Sequence, residues 1–308
     1  MGDGAGSPMC RGRTATLCGW FLAVILALLP RLSWAREPNP ASDPVEWSPS
    51  WPRFRWWEYF GAAAFEASSV YLRWYQPPPQ QPKWQGSNAF DDTVRDWLRA
   101  ETLAGRTSAA NVSDWVSFVG TFAPLVIDPS VALVVHRNVD VGWQLLMMDL
   151  EAMAVANFVN NLLYSEVGRA RPDSSDCAKD PSYNRLCGIG SNASLPSGHT
   201  VTIATATGLT CSHHRYLPLY GNSTADDAAC AVMVLATLTT GVSRVVADRH
   251  FATDVLLGAA IGFGSGYGLP WLLHYRYGGM ETSPHTSKVV LFPFAADKAL
   301  GLGVMGLL

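Results

Sequence analysis

The sequence predicts an all-α protein: a bundle of six long helices with one short amphipathic helix ahead of the core. Apolar runs of helical length alternate with polar connections rich in Pro, Gly, Asn and Asp. No region is dominated by strand pattern, and no internal repeat is present. Two of the expected helices open on acidic first turns, where a helix dipole favours negative charge. Hydrophobic residues make up 48% of the 308 positions and charged residues 15%, enough for a large core. The net charge is −3 with no basic run, which argues against a nucleic-acid partner.

Taken in order, Arg11 and Arg13 precede the apolar run "LCGWFLAVILALL" and the small-x-small stretch "SWA" at Ser33 to Ala35. This pattern is that of a secretory signal peptide over residues 1–35. A Pro- and Ser-rich stretch to about Pro52 reads as a loose leader. Residues 36–109 hold this leader and the first helices, 110–275 the core, and 276–308 a tail that is apolar but unpatterned. The first long helix is expected over Trp56 to Tyr75 and the short amphipathic one over Phe90 to Glu101. Long helices follow over Val112 to Val135, kinked at Pro124 and Pro129, and over Val141 to Val167. A polar loop then leads to a fourth long helix, Ser197 to Cys211. A fifth opens at "ADDAAC" and runs to Val246, with Asp226 and Asp227 as its N-terminal acids, and a sixth spans Thr253 to His274. His213 and His214 fall in the connection before the fifth helix and read as a solvated turn.

Beyond the signal stand four cysteines, an even count that suits two disulfides in an exported chain. The shortest pairing is Cys177–Cys187 and Cys211–Cys230; the alternative is four buried thiols. Whether the bundle crosses a membrane stays open at this level. The fifth and sixth helices are apolar enough, and the connections at His136–Arg137, His213–Arg215 and His274–Arg276 place positive charge at one end. Against crossing stand the acids and asparagines of the third long helix, the shortness of the fourth, and two cysteine pairs at opposite ends of the fourth.

The stretch "SRVVADRHFATD" carries the first chemical signal. His250 and Asp254 at i, i+4 share a helix face, where a carboxylate fixes a tautomer. Arg244 is a fixed cation suited to an oxyanion. "GRARP" (Gly168 to Pro172) and "PSGH" (Pro196 to His199) fall at the same end of the bundle. Backbone N–H groups of Ser197, Gly198 and His199 at a helix start form an anion seat. Arg171 and Arg244 are expected to hold phosphate oxygens, His250 to attack, Asp254 to orient it, and His199 to protonate the leaving oxygen.

These three blocks resemble the type 2 phosphatidic acid phosphatase family, which shares its fold and site with class A acid phosphatases and vanadium haloperoxidases. The family pattern is Lys-x6-Arg-Pro, Pro-Ser-Gly-His, and Ser-Arg-x5-His-x3-Asp. The second block is complete as Pro196, Ser197, Gly198 and His199, and the third as Ser243, Arg244, His250 and Asp254. In the first block Tyr164 stands where the family has its lysine, and Arg169 is either its substitute or else a solvated loop arginine or a partner of Glu166. The resemblance implies a six-helix core, a phosphohistidine intermediate on His250 and no metal cofactor. It points to an exported phosphatase on the periplasmic side, membrane-embedded or membrane-associated, acting on a phosphomonoester or on a lipid phosphate or pyrophosphate. Two alternatives remain: a catalytically weakened phosphate-binding relative and a vanadate-dependent haloperoxidase.

Overall fold

A computed structural model describes residues 45–279 and the backbone of Lys288–Ala296 and Ala299–Leu307. The secretory signal read over residues 1–35 lies outside the described residues. Within 45–279 the chain is all-helical. The helices are α1 (Trp56–Tyr75), α2 (Ala89–Leu98), α3 (Leu103–Val135), α4 (Val139–Val167), α5 (Ser174–Lys179), α6 (Gly198–Tyr216), α7 (Ser223–Val246) and α8 (Ala252–Leu273). Asn88, Thr102, Asn138 and Asn222 cap α2, α3, α4 and α7 by accepting a backbone N–H three residues on. The capping explains why α3 starts at Leu103, ahead of the expected Val112: the polar first turns of α3 carry no apolar stripe. Its two prolines are accommodated by π-helical turns at Ala123–Ile127 and Val131–Val135.

Two sequence expectations are corrected at the chain's ends. The leader is not loose along its whole length. Val45, Trp47 and Phe54 are buried in one core cluster with Leu145, Met148 and Tyr275, because their large apolar surfaces leave water there. The tail forms a two-stranded antiparallel hairpin, β1 (Lys288–Ala296) with β2 (Ala299–Leu307). Gly301, Gly303 and Gly306 hide the alternation that would have marked a strand.

The centre of the bundle is α6, packed by α3, α4, α7 and α8. Nearly every residue from Thr200 to His214 is buried. It runs 19 residues, longer than expected, and its enclosure explains its modest hydropathy: it faces protein on every side. Three of its neighbours, α3, α7 and α8, are long and apolar enough to cross a membrane.

His213 and His214 are not a solvated turn. Both sit inside the last turns of α6, buried against carboxylates. His213 Nε2 lies 2.8 Å from Asp149, and His214 Nδ1 lies 2.6 Å from Asp226 and its Nε2 3.3 Å from Asp128. Asp226 is therefore a buried histidine partner as well as a first-turn acid. Asp149 and Glu151 on α4, the acids that looked hostile to lipid, are buried within the bundle. Both disulfides form, Cys177–Cys187 and Cys211–Cys230, the second tying α6 to α7.

The close approach of α6 and α8 depends on glycine. A Cβ at Gly262 would collide with the Val201 carbonyl oxygen, at Gly266 with the Thr205 carbonyl oxygen, and at Gly258 would stand 2.9 Å from the Ser197 carbonyl oxygen. Spacing of four residues puts these glycines on one face of α8. Gly264, between them, faces open space. Gly262→Val should therefore lower stability by about 1–3 kcal/mol, because backbone cannot move aside as a side chain can. Gly264→Ala should cost nothing. Thermal unfolding of the two variants in detergent checks this; equal midpoints would show that the helix contact is not tight.

Candidate active site

Three chain segments meet at one end of the bundle. α4 ends at Gly168 in the left-handed conformation, φ 55°. That turn sends Arg169 into the protein and Arg171 towards the pocket. α6 begins just after Ser197. The α7–α8 connection supplies His250 between Arg244 on α7 and Asp254 on α8. Arg171, His199, Arg244 and His250 all line one pocket of about 900 Å³, with Tyr164 and Gly198 beside them.

The imidazole of His250 is 2% exposed. Its Nδ1 lies 2.7 Å from the carbonyl oxygen of Ser194. A carbonyl only accepts, so Nδ1 carries the proton and Nε2 presents its lone pair. Nε2 lies 3.0 Å from Arg171 Nη1 at the pocket wall. Asp254 Oδ2 stands 3.9 Å from His250 Nδ1, beyond hydrogen-bond reach. Instead it accepts from Ser194 Oγ at 2.6 Å and from the Phe251 N–H at 2.9 Å. The expected direct orientation is thus corrected: Asp254 fixes Ser194, whose carbonyl fixes the ring.

His199 Nε2 lies 3.0 Å from Asp114 Oδ1 on α3. Arg244 Nη1 reaches the same oxygen at 3.4 Å and Ser113 Oγ at 3.2 Å. Arg171 is anchored through Nε to the Gly190 carbonyl at 2.6 Å and through Nη1 to the Arg249 carbonyl at 2.7 Å. Arg249 also lines the pocket, held by Asp173 at 2.9 Å. Charge shapes these groups. Burial, followed by Arg249, pushes the pKa of Arg171 down to about 9. Burial, with Arg171 and Arg244 next, holds His250 well below the usual histidine range. Burial and then Arg244 lower His199 to about 4, with Asp114 opposing.

Sequence reasoning missed Asp114, Arg249 and Ser194. A lone acid in the apolar run "NVSDWVSF" is a signal of the first, since an ionisable group there needs a partner. Arg249 adjoins His250 in sequence. Ser194 acts through its carbonyl, which no side-chain pattern announces.

Residues 146–277 match the family model of the PAP2 superfamily. A lipid A 1-phosphatase of Porphyromonas gingivalis is 30% identical over 173 residues, which are 56% of this chain and 32% of that protein. The chain thus spans about a third of the length of this curated relative. No solved structure matches the chain significantly. Asp114 lies outside the PAP2 segment; all three motif blocks lie within it.

The PAP2 pattern frames two departures. Tyr164, at the lysine position, does line the pocket. Its hydroxyl oxygen accepts the Gly198 N–H at 3.0 Å, which leaves its own O–H free to donate into the pocket. The approach is close enough that a Cβ on Gly198 would stand 2.7 Å from this oxygen. So the Gly198 N–H is already engaged, and the Ser197 N–H donates to the Asp254 carbonyl at 3.0 Å. Ser197 is fully buried and does not line the pocket, which corrects its place in the expected anion seat. Arg169 is corrected too. It neither reaches the pocket nor pairs with Glu166. It is fully buried, bonded to Asp254 at 2.5 Å and Asp91 at 2.8 Å. Its guanidinium lies between the rings of Trp84 at 4.3 Å and Phe251 at 4.2 Å.

Two outcomes follow from this geometry. Arg169→Met leaves two buried carboxylates unpaired and should cost about 3–5 kcal/mol of stability. Its folded fraction should bind sulfate far better than Arg171→Met does; equal weakening in both would return Arg169 to the seat. An oxyanion beside His199 favours its charged form and raises its pKa from about 4. Above that pH, binding of sulfate, itself a dianion throughout, should take up a proton, and affinity should fall as pH rises. Calorimetry at about pH 5 in buffers of different ionisation enthalpy reads the uptake; none would mean that His199 stays neutral in the complex.

Proposed function

We propose that the chain is an exported, membrane-embedded phosphatase that hydrolyses a lipid phosphomonoester or pyrophosphate through a phosphohistidine on His250. One observation carries the reading: the pocket that holds His250 and its arginines continues along α3 as an apolar trough. Phe118, Phe122, Leu125 and Val126 line it. From Asp114 to Val126 the trough follows twelve residues of helix, about 18 Å. A soluble phosphomonoester needs no such wall. The relative from Porphyromonas gingivalis is a lipid A 1-phosphatase, in agreement with this assignment.

The residues suit in-line displacement. Arg171 and Arg244 hold the non-bridging oxygens of the phosphoryl group, and the Tyr164 O–H donates a neutral hydrogen bond where the family has a charged one. His250 Nε2 attacks phosphorus, and the bond to the lipid oxygen breaks. His199 protonates that oxygen, and Asp114 stabilises the imidazolium before the leaving group departs. Water, deprotonated by His199, then attacks the phosphohistidine and releases phosphate. The Cys177–Cys187 disulfide, anchored on α5, supports an oxidising compartment on the pocket side, and Cys211–Cys230 ties α6 to α7 within the length of the α7 span, so it does not count against crossing. In this reading residues 1–35 are the signal and 110–275 the catalytic core.

Purified protein in mixed micelles should release phosphate from a long-chain lipid phosphate in preference to p-nitrophenyl phosphate. His250→Ala should abolish release and the acid-labile phosphoenzyme together. Asp114→Asn and His199→Ala should slow the lipid, a poor leaving group, by roughly 10²–10⁴-fold and nitrophenyl phosphate much less. Phe122→Glu should raise KM for the lipid alone. Full turnover in His250→Ala would overturn the mechanism. Bromide oxidation with vanadate and peroxide, without phosphate release, would favour the haloperoxidase alternative.

A further inference from the structure

The chemistry described so far leaves a second polar cluster unused, at the end of the bundle away from the pocket. Glu58 on α1, Glu151 on α4 and His274 after α8 each offer a ligand atom, and these atoms lie within 4.8 Å of one another. Glu58 and His274 are fully buried, and Glu151 nearly so. His274 Nδ1 is 2.8 Å from the Pro52 carbonyl oxygen, so Nδ1 carries the proton. That leaves Nε2 as a lone pair. It has no hydrogen-bond partner, yet it faces Glu58 Oε1 at 3.3 Å. Two electron-rich atoms facing each other in a dry interior need a proton or a metal ion between them. Glu151, 8% exposed, is hydrogen-bonded by none of the described residues and keeps a little contact with solvent. Arg55 offsets one carboxylate only: its Nε donates to Glu58 Oε2 at 2.9 Å and its Nη2 to Oε1 at 3.1 Å, while its backbone N–H also donates to Oε2.

We propose that Glu58, Glu151 and His274 bind one divalent transition-metal ion of the zinc class, as a structural tie between α1, α4 and the end of α8. The donor set fits: one imidazole nitrogen and two carboxylates, with the imidazole's other N–H held by a backbone carbonyl, as metal-bound histidines usually are. Imidazole directs the site to zinc or its neighbours rather than to magnesium or calcium. The three ligands come from distant parts of the sequence, so a bound ion would favour the folded chain. The site is remote from His250, so this inference does not rest on the phosphatase assignment.

The test uses the full chain, purified without a histidine tag in detergent. Elemental analysis should find about one zinc per chain, and chelation should lower the unfolding midpoint, with zinc restoring it. Glu151→Gln, close in shape, should lose zinc affinity by more than the ~10–100-fold that even an outer partner of a metal costs. His274→Gln should do the same. X-ray absorption on the zinc-loaded natural protein should show one imidazole and oxygen ligands, a readout that holds even if a variant fails to fold. Phosphate release should survive in Glu151→Gln. Absence of stoichiometric zinc and of any zinc-dependent midpoint in the natural protein would overturn the proposal and assign a proton to the cluster. Equal zinc binding by Glu151→Gln, or sulfur ligands in the spectrum, would overturn it too.

Discussion

The buried guanidinium of Arg169 is the constraint on which the pocket end of the molecule depends. A charge with no solvent contact is tolerated only when fully paired. Arg169 meets this with Asp91 ahead of the core, Asp254 at the start of α8, and two aromatic faces. One side chain thereby fastens three segments that are far apart in sequence. The segment that carries Trp84 also pairs by backbone with Gly168 and Ala170, so the fastening extends to the turn that ends α4.

From that point the positions of the reactive groups descend by short steps. Arg169 sets Asp254, Asp254 sets Ser194, and the Ser194 carbonyl sets the tautomer of His250. On the other wall, Asp114 joins His199 to Arg244. The two walls meet across α6, whose enclosure by four helices keeps its first turn in place. Buried pairs stabilise weakly against an apolar replacement, but they tolerate few alternative arrangements. The polar interior of this bundle therefore contributes more to where groups stand than to how tightly the chain folds.

Much of this was legible in the sequence, and the division has a physical basis. The helices of α1, α4, α7 and α8 follow from apolar periodicity and their caps. The convergence of Arg171, His199, Arg244 and His250 follows from three blocks with fixed internal spacing. What the sequence left unread was partnership across distance. His250 and Asp254 at i, i+4 invited a direct pair, yet the carboxylate turns to Arg169 and Ser194. His213 and His214 looked solvated because their partners, Asp149, Asp128 and Asp226, come from three other segments. Arg169 looked like a substitute cation because nothing local reveals Asp91. Periodicity reports which face is apolar; it does not report which buried charge meets which.

The crowding of Arg171, Arg244 and Arg249 around one pocket has a thermodynamic consequence of its own. Like charges removed from water repel, and the lowered pKa of Arg171 reflects burial first and the repulsion of Arg249 second. Such a pocket is at its least comfortable without a counter-ion. Any oxyanion that fills it couples its binding free energy to folding, by about 2.7 kcal/mol when present at a hundred times its dissociation constant. The conditions that keep this protein intact through purification are therefore set by the anion in the buffer as much as by the detergent or the temperature.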